Sequence, residues 1–172
     1  IAQFTDKAFV QLSAVSASVK DVRQVISQAE KMLGEYGQGT ILFLDEVHRF
    51  NKAQQDTLLS AVETGLIVLI GATTENPYFE VNAPLLSRST LFRLDPLNHE
   101  NLLELLSKAL LYENAEATRE ALEHIANASE GDGRQCLTSL EVAITLARSR
   151  NDESNHVVSL EDAEGAIGVQ AL

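Results

Sequence analysis

The sequence predicts an α/β domain with a largely parallel sheet over residues 1–96, followed by a small all-α domain over residues 97–172. Two observations carry this. Short apolar runs alternate with segments of helical periodicity in the first half, and only helical periodicity occurs in the second. Asp95-Pro96-Leu97-Asn98 punctuates the change.

In chain order, Phe9-Val10-Gln11-Leu12 reads as a short strand. Val19 to Leu33 follows as a helix, with Val22, Val25, Ile26, Ala29 and Leu33 at helical spacing. Gly34, Gly37 and Gly39 mark the loop behind it. Ile41-Leu42-Phe43-Leu44 is an unbroken apolar run, as expected of a strand buried on both faces. Lys52 to Glu63 is expected as a helix and Leu66–Ile70 as a second buried strand. A loop and short helix through Leu85 lead to Leu91-Phe92-Arg93-Leu94, expected as the last strand. Helices are then expected at 98–111, 117–128, 134–148 and 160–167, the last with a Ser159/Asp162 capping box. Arg150–His156 is polar and reads as a loop.

Composition narrows the function. The 172 residues, 45% of them apolar, suffice for one ordinary domain or a compact domain with a satellite. The apolar runs are far short of the roughly 20 residues of a membrane span, and Asp6 and Lys7 break any signal-peptide pattern at the start. One cysteine excludes an internal disulfide and suits a reducing compartment, and the four histidines show no zinc-ligand spacing. Net charge is −12, with 14 acidic and 5 basic side chains beyond residue 96 against 11 and 8 before it. A free-standing nucleic-acid binder usually shows a basic face, and none is evident here.

Four motifs could carry chemistry. Thr40-Ile41-Leu42-Phe43-Leu44-Asp45-Glu46 runs four apolar residues into adjacent carboxylates at the carboxyl end of a strand, the edge where open α/β sheets bind ligands. Desolvated carboxylates need compensation, usually a divalent cation. In such a Walker B arrangement Asp45 positions Mg²⁺, through a water, and Glu46 polarises the attacking water; the alternative is a solvated acidic turn. Gly71-Ala72-Thr73-Thr74-Glu75-Asn76-Pro77 follows the next strand, and Thr74 is the candidate for sensing the γ-phosphate, a plain turn being the alternative. Pro84-Leu85-Leu86-Ser87-Arg88-Ser89 offers Arg88 as an arginine finger toward a neighbouring subunit, or as an ordinary surface arginine. In Gly131-Asp132-Gly133-Arg134, a cation in the first turn of a helix opposes the helix dipole, so Arg134 is a candidate phosphate contact, or merely exposed. Polar residues His48, Arg49, Asn51 and Lys52 form either a pore-side or DNA-facing loop or a solvated helix start, and Cys136 sits among Leu137, Leu140 and Val142 as a core residue.

Taken in this order, the motifs resemble the clamp-loader branch of AAA+ ATPases. More specifically, Thr40–Lys52, Gln54-Gln55-Asp56 and Gly71–Pro77 resemble the bacterial RarA/MgsA family, whose eukaryotic relative is the Werner-helicase-interacting ATPase. Leu12–Val15 and Val19–Arg23 fit it too; the likeness is strong over 9–94 and weak in the helices after 97. The resemblance implies a partial AAA+ nucleotide-binding domain with a helical lid, using ATP and Mg²⁺. It implies an oligomer acting at stalled replication forks on single-stranded or forked DNA, in contact with single-stranded-DNA-binding protein, in a cytoplasmic, nucleoid-associated setting. Matched by motif, Asp45 and Glu46 take the Walker B roles, Thr74 sensor 1, Arg88 the arginine finger and Arg134 sensor 2.

One departure matters. No G-x-x-x-x-G-K-[ST] phosphate loop occurs in the sequence, and Gly34–Thr40 lacks the lysine and precedes a strand. In the resembled family that loop lies just upstream of the first strand, and Ile1-Ala2 looks like the tail of its helix. The expectation is a segment that begins inside that helix and stops before the C-terminal oligomerisation region, inactive alone. Two other readings remain: a non-catalytic AAA+-like scaffold, and a Holliday-junction branch-migration motor, which shares Gly71–Thr74 but fits Val47–Lys52 poorly.

Overall fold

A computed structural model describes residues 4–149 and 156–170. The polar loop expected over 150–156 therefore lies, apart from His156, outside the described residues, as does Ile1-Ala2. The chain forms two compact units, residues 1–92 and 93–172.

The first unit holds a parallel sheet in the order β1-β2-β3, with β1 at Ala8–Ser13, β2 at Thr40–Asp45 and β3 at Ile67–Gly71. Helix α1 (Val19–Tyr36) joins the first pair and α2 (Lys52–Glu63) the second. Strands added consecutively in one direction, each through a right-handed crossover, put both helices on one face. That face carries Val10, Leu12, Leu42, Leu44, Ile67 and Leu69, which pack with Val22, Val25, Ala29, Leu58 and Ala61. Leu42, Leu44 and Leu58 are fully buried, worth roughly 1.5–3 kcal/mol each. Both helices start on capping boxes, Ser18 with Asp21 and Asn51 with Gln54, and α1 ends on Gly37 in the left-handed region (φ 64°).

β2 is buried on both faces as expected, with Leu42 and Leu44 under the helices, Ile41 buried on the second face and Phe43 half-buried there, stacked on Phe9. Two other expectations need correction. β3 is not a buried strand throughout: Val68 is 41% exposed on the second face. Leu91–Leu94 is not a strand. Its apolar residues have the composition of one, but a strand exists only by pairing, and among the described residues no strand accepts it. Phe92 and Leu94 stand 84% and 91% exposed.

Between β3 and that segment lie two single-turn helices, α3 (Pro77–Glu80) and α4 (Ala83–Leu86). Buried Gln55 holds them onto α2: its amide donates to the carbonyls of Phe50 and Glu80 at 3.0 and 2.9 Å and its oxygen accepts from the Asn82 N–H at 2.7 Å.

The second unit is all helical: α5 (His99–Glu113), α6 (Arg119–Ala128), α7 (Gly133–Ser149) and α8 (Leu160–Gln170). Its core is Leu102, Leu106, Ile125, Leu140, Ile144 and Val158 around a set of alanines and Cys136. Burial raises the Cys136 thiol above its usual range, so it stays a protonated core side chain. Asn98 and Thr118 cap α5 and α6. Ser159 and Asp162 form the expected box, each backbone N–H reaching the other's side chain at 2.8 and 3.3 Å. No helix of the described residues is long and apolar enough to cross a membrane.

Candidate functional site

The carboxyl edge of the sheet gathers three chain segments: Ser13-Ala14 after β1, Asp45–His48 after β2, and Gly71–Thr74 after β3. Backbone bonds lock them together. Ala14 N–H donates to Asp45 O, Ala72 N–H to Leu44 O and Val47 N–H to Ala72 O, each at 2.9 Å. The turn between Asp45 and Val47 is tight enough that Glu46 adopts a left-handed backbone (φ 56°, ψ 43°), unusual for a residue other than glycine. A 3₁₀ turn over Val47–Arg49 then feeds α2.

Asp45 is half-buried, and its Oδ1 accepts the Glu46 N–H at 3.1 Å. The Glu46 carboxylate lies 3.3 Å from Nδ1 of His48, with the Glu46 side chain 34% and the His48 side chain 10% exposed. The same Nδ1 is 2.9 Å from Oγ1 of Thr73, which also accepts the Glu75 N–H at 3.0 Å. Asp45 is thus met by the Glu46 N–H and Glu46 by the His48 ring, where the sequence offered a cation or a solvated turn. The His48 side chain is largely buried rather than solvated, Asn51 is the cap of α2, and Arg49 and Lys52 are exposed.

Thr74, the expected γ-phosphate sensor, is exposed next to Thr73, and it is Thr73 whose hydroxyl bonds the His48 ring. Arg88 sits one residue past the cap of α4, with Nη2 2.8 Å from Oε1 of Glu63 and Nη1 donating to Pro84 O at 3.0 Å. Arg93 pairs instead with Asp95 at 3.6 Å, both highly exposed. Arg134 belongs to the helical unit, exposed in the first turn of α7. The anion expected there is already present: Asp132 Oδ1 accepts the N–H groups of Gln135 and Arg134 at 3.0 and 2.8 Å. Those bonds, Gln135's first, hold the Asp132 carboxyl below its usual range. The structure therefore brings Asp45 and Glu46 together, with Thr74 one residue beyond the linked Thr73.

Sequence reasoning read His48 as part of a polar loop rather than as a neighbour of Glu46, took Thr74 rather than Thr73 from its motif, and passed over Gln55 as a structural residue. An imidazole two residues beyond a paired-acid turn was the available signal for His48. Gln55 had none, because its partners are backbone groups distant in sequence.

Residues 1–96 match the family model described as ATPase family associated with various cellular activities (AAA). The chain belongs to the AAA family of ATPases. It is 42% identical over its whole length to an uncharacterised AAA-domain protein of Mycobacterium tuberculosis, covering 38% of that protein. It is 46% identical over 88% of its length to replication-associated recombination protein A of Coxiella burnetii, covering 35% of it. Over 92% of its length it is 40% identical to ATPase WRNIP1 of Dictyostelium discoideum, covering 18%. This AAA chain thus spans about two fifths or less of these relatives. Among solved structures it is similar to the RuvB Holliday-junction branch-migration motor of Thermotoga maritima, with a TM-score of 0.74 at 24% identity, over 94% of this chain and 53% of that one. That likeness shows the fold, an AAA α/β unit with a helical C-terminal part, as the sequence predicted.

Proposed function

We propose that this chain is part of the ATP-hydrolysing, Mg²⁺-dependent module of a replication- and recombination-associated AAA+ ATPase. One observation carries the reading: Asp45 and Glu46 close β2 at the carboxyl edge of the parallel sheet, fixed by backbone bonds to the loop after β3. Mg²⁺ takes hard oxygen ligands and keeps several waters, so one carboxylate beside a triphosphate suffices. Asp45 fits that role, with one oxygen committed to Glu46 N–H and the other available. Bound there, the ion would neutralise charge on the transferred phosphoryl group.

In this reading Glu46 polarises the attacking water, and Thr74 senses the γ-phosphate from the adjacent loop. Arg88 reaches a neighbouring subunit's triphosphate after leaving Glu63, and Arg134 contacts phosphate from the helical unit. No phosphate-loop motif lies within the 172 residues, so this segment alone is expected to bind nucleotide weakly and to be inactive. The relatives named for replication-associated recombination support the replication and recombination setting. To it the motif resemblance adds a cytoplasmic, nucleoid-associated oligomer acting on single-stranded or forked DNA at stalled forks, with single-stranded-DNA-binding protein as a partner.

The test is ATP turnover in the full-length protein containing this sequence. Glu46→Gln should abolish hydrolysis, by on the order of 10²–10⁴-fold for loss of a general base, while nucleotide binding survives. Undiminished turnover would remove Glu46 from the chemistry. A parent protein that neither binds nor hydrolyses ATP would leave the scaffold reading standing.

A further inference from the structure

We propose that His48 is a positioning residue for the water-polarising glutamate: its Nδ1–H holds the Glu46 carboxylate and ties it to Thr73 on the loop after β3. The inference rests on the reading of Glu46 as the base, and goes beyond it by identifying what aims that base. A carboxylate can only accept, so His48 serves Glu46 in the tautomer whose Nδ1 carries the proton: Nδ1 then stands 3.3 Å from the carboxylate, an electrostatic contact, and is hydrogen-bonded to Thr73 Oγ1 at 2.9 Å. The same proton lies within reach of Thr73 Oγ1 at 2.9 Å, leaving the Thr73 oxygen between His48 and the Glu75 N–H.

The arrangement is built rather than incidental. The His48 side chain is only 10% exposed, and the turn that presents it is pinned by Val47 N–H to Ala72 O at 2.9 Å. The left-handed Glu46 backbone throws the carboxylate back toward the ring two residues on. Glu46 has three side-chain torsions and remains 34% exposed, so without the ring its carboxylate would sample many rotamers. Through His48 the aim of the base depends on where the Thr73-Thr74 loop sits, which joins the glutamate to the strand end expected to sense the γ-phosphate.

The experiment measures steady-state ATP hydrolysis of the full-length protein with His48→Ala, His48→Asn, His48→Gln and Glu46→Gln. Loss of an orienting partner commonly costs 10–100-fold, so His48→Ala should lower kcat by roughly tenfold while KM for ATP stays within about twofold. His48→Asn, whose amide nitrogen falls near the Nδ1 position, should recover most of kcat, whereas His48→Gln, with its donor one bond farther out, should not. A Thr73→Val change should add little on top of His48→Ala, since the two act in one chain of bonds. Unchanged or raised kcat in His48→Ala beside an inactive Glu46→Gln overturns the positioning role alone. Should His48→Ala fail to fold, equal rates for the Asn and Gln variants overturn it as well. An active Glu46→Gln overturns instead the reading on which the inference stands.

Discussion

Replacing Gly131 by alanine should destabilise the helical unit by an amount that can be worked from local geometry. Gly131 has φ +92°, where side-chain-bearing residues are strained, at a cost of about 1–3 kcal/mol. A Cβ built there meets Cβ of Pro96 at 2.7 Å and the Leu97 carbonyl oxygen at 3.0 Å. Carbons in good contact sit about 3.5–4.0 Å apart, and neither neighbour is the flexible end of a side chain. The Leu97 N–H also donates to Gly131 O at 3.0 Å, so the loop cannot swing away without losing that bond. Overpacking of this kind typically costs about 1–3 kcal/mol. The sum is about 2–6 kcal/mol against a domain stability of about 5–15. Urea unfolding followed by circular dichroism, with hydrogen exchange at the amides of α7, measures it. Gly168→Ala supplies the contrast: nothing lies within 4 Å of its Cβ and the site is inside α8, so a gain of up to about 1 kcal/mol is expected. If Gly131→Ala falls within about 0.5 kcal/mol of the parent, the argument that this loop is conformationally fixed is refuted.

Two further changes test other parts of the fold. Thr40 is 3% exposed on the helix-covered face of β2, and its hydroxyl has no hydrogen-bond partner among the described residues. Thr40→Val should raise the urea midpoint by an equivalent of about 1 kcal/mol, and a fall would mean that the hydroxyl is satisfied by water. Asp132 is held below the ordinary carboxyl value of 3.8 by the Gln135 and Arg134 N–H groups. The folded form therefore binds its proton less readily than the unfolded one, so its stabilisation is complete above that value and disappears as pH falls through the lowered one. Exchange protection of the first turn of α7 should drop on acidification below about pH 4, and Asp132→Asn should flatten the profile.

Much of this architecture was legible because the deciding forces are local or periodic. The apolar runs at 9–12, 41–44 and 66–70 became strands, and the Ser159/Asp162 pattern became a cap, since both depend on residues within a few positions of one another. Leu91–Leu94 defeated the same reasoning. Composition can make a segment suitable for a sheet, but only a hydrogen-bonded neighbour makes it a strand, and sequence does not say where that neighbour is. The paired acids at 45–46 were visible for the first reason, as carboxylates ending an apolar run. What surrounds them was not. The contact of His48 with Thr73 spans 25 residues, and Gln55 reaches Glu80 across the same separation. At the start of α7, where the dipole argument about Arg134 asked for an anion, Asp132 two residues away places a carboxylate on the first-turn N–H groups.

The backbone at Glu46 connects fold and site most directly. A residue other than glycine in the left-handed region costs about 1–2 kcal/mol, and glycine would make the turn between β2 and the 3₁₀ segment at less strain. The chain instead places a carboxylate there, immediately after the acid of Asp45 and within reach of a half-buried imidazole. Three backbone bonds at 2.9 Å, from Ala14, Val47 and Ala72, keep the turn in that shape. Left-handed backbone is not by itself a mark of function, since Asn114 and the exposed turn residue Glu130 share it at φ 50° and 46° in the helical unit. What the turn at Glu46 does is mechanical: its backbone conformation, pinned by those three bonds, sets where the carboxylate stands beside the Asp45 acid and the His48 ring.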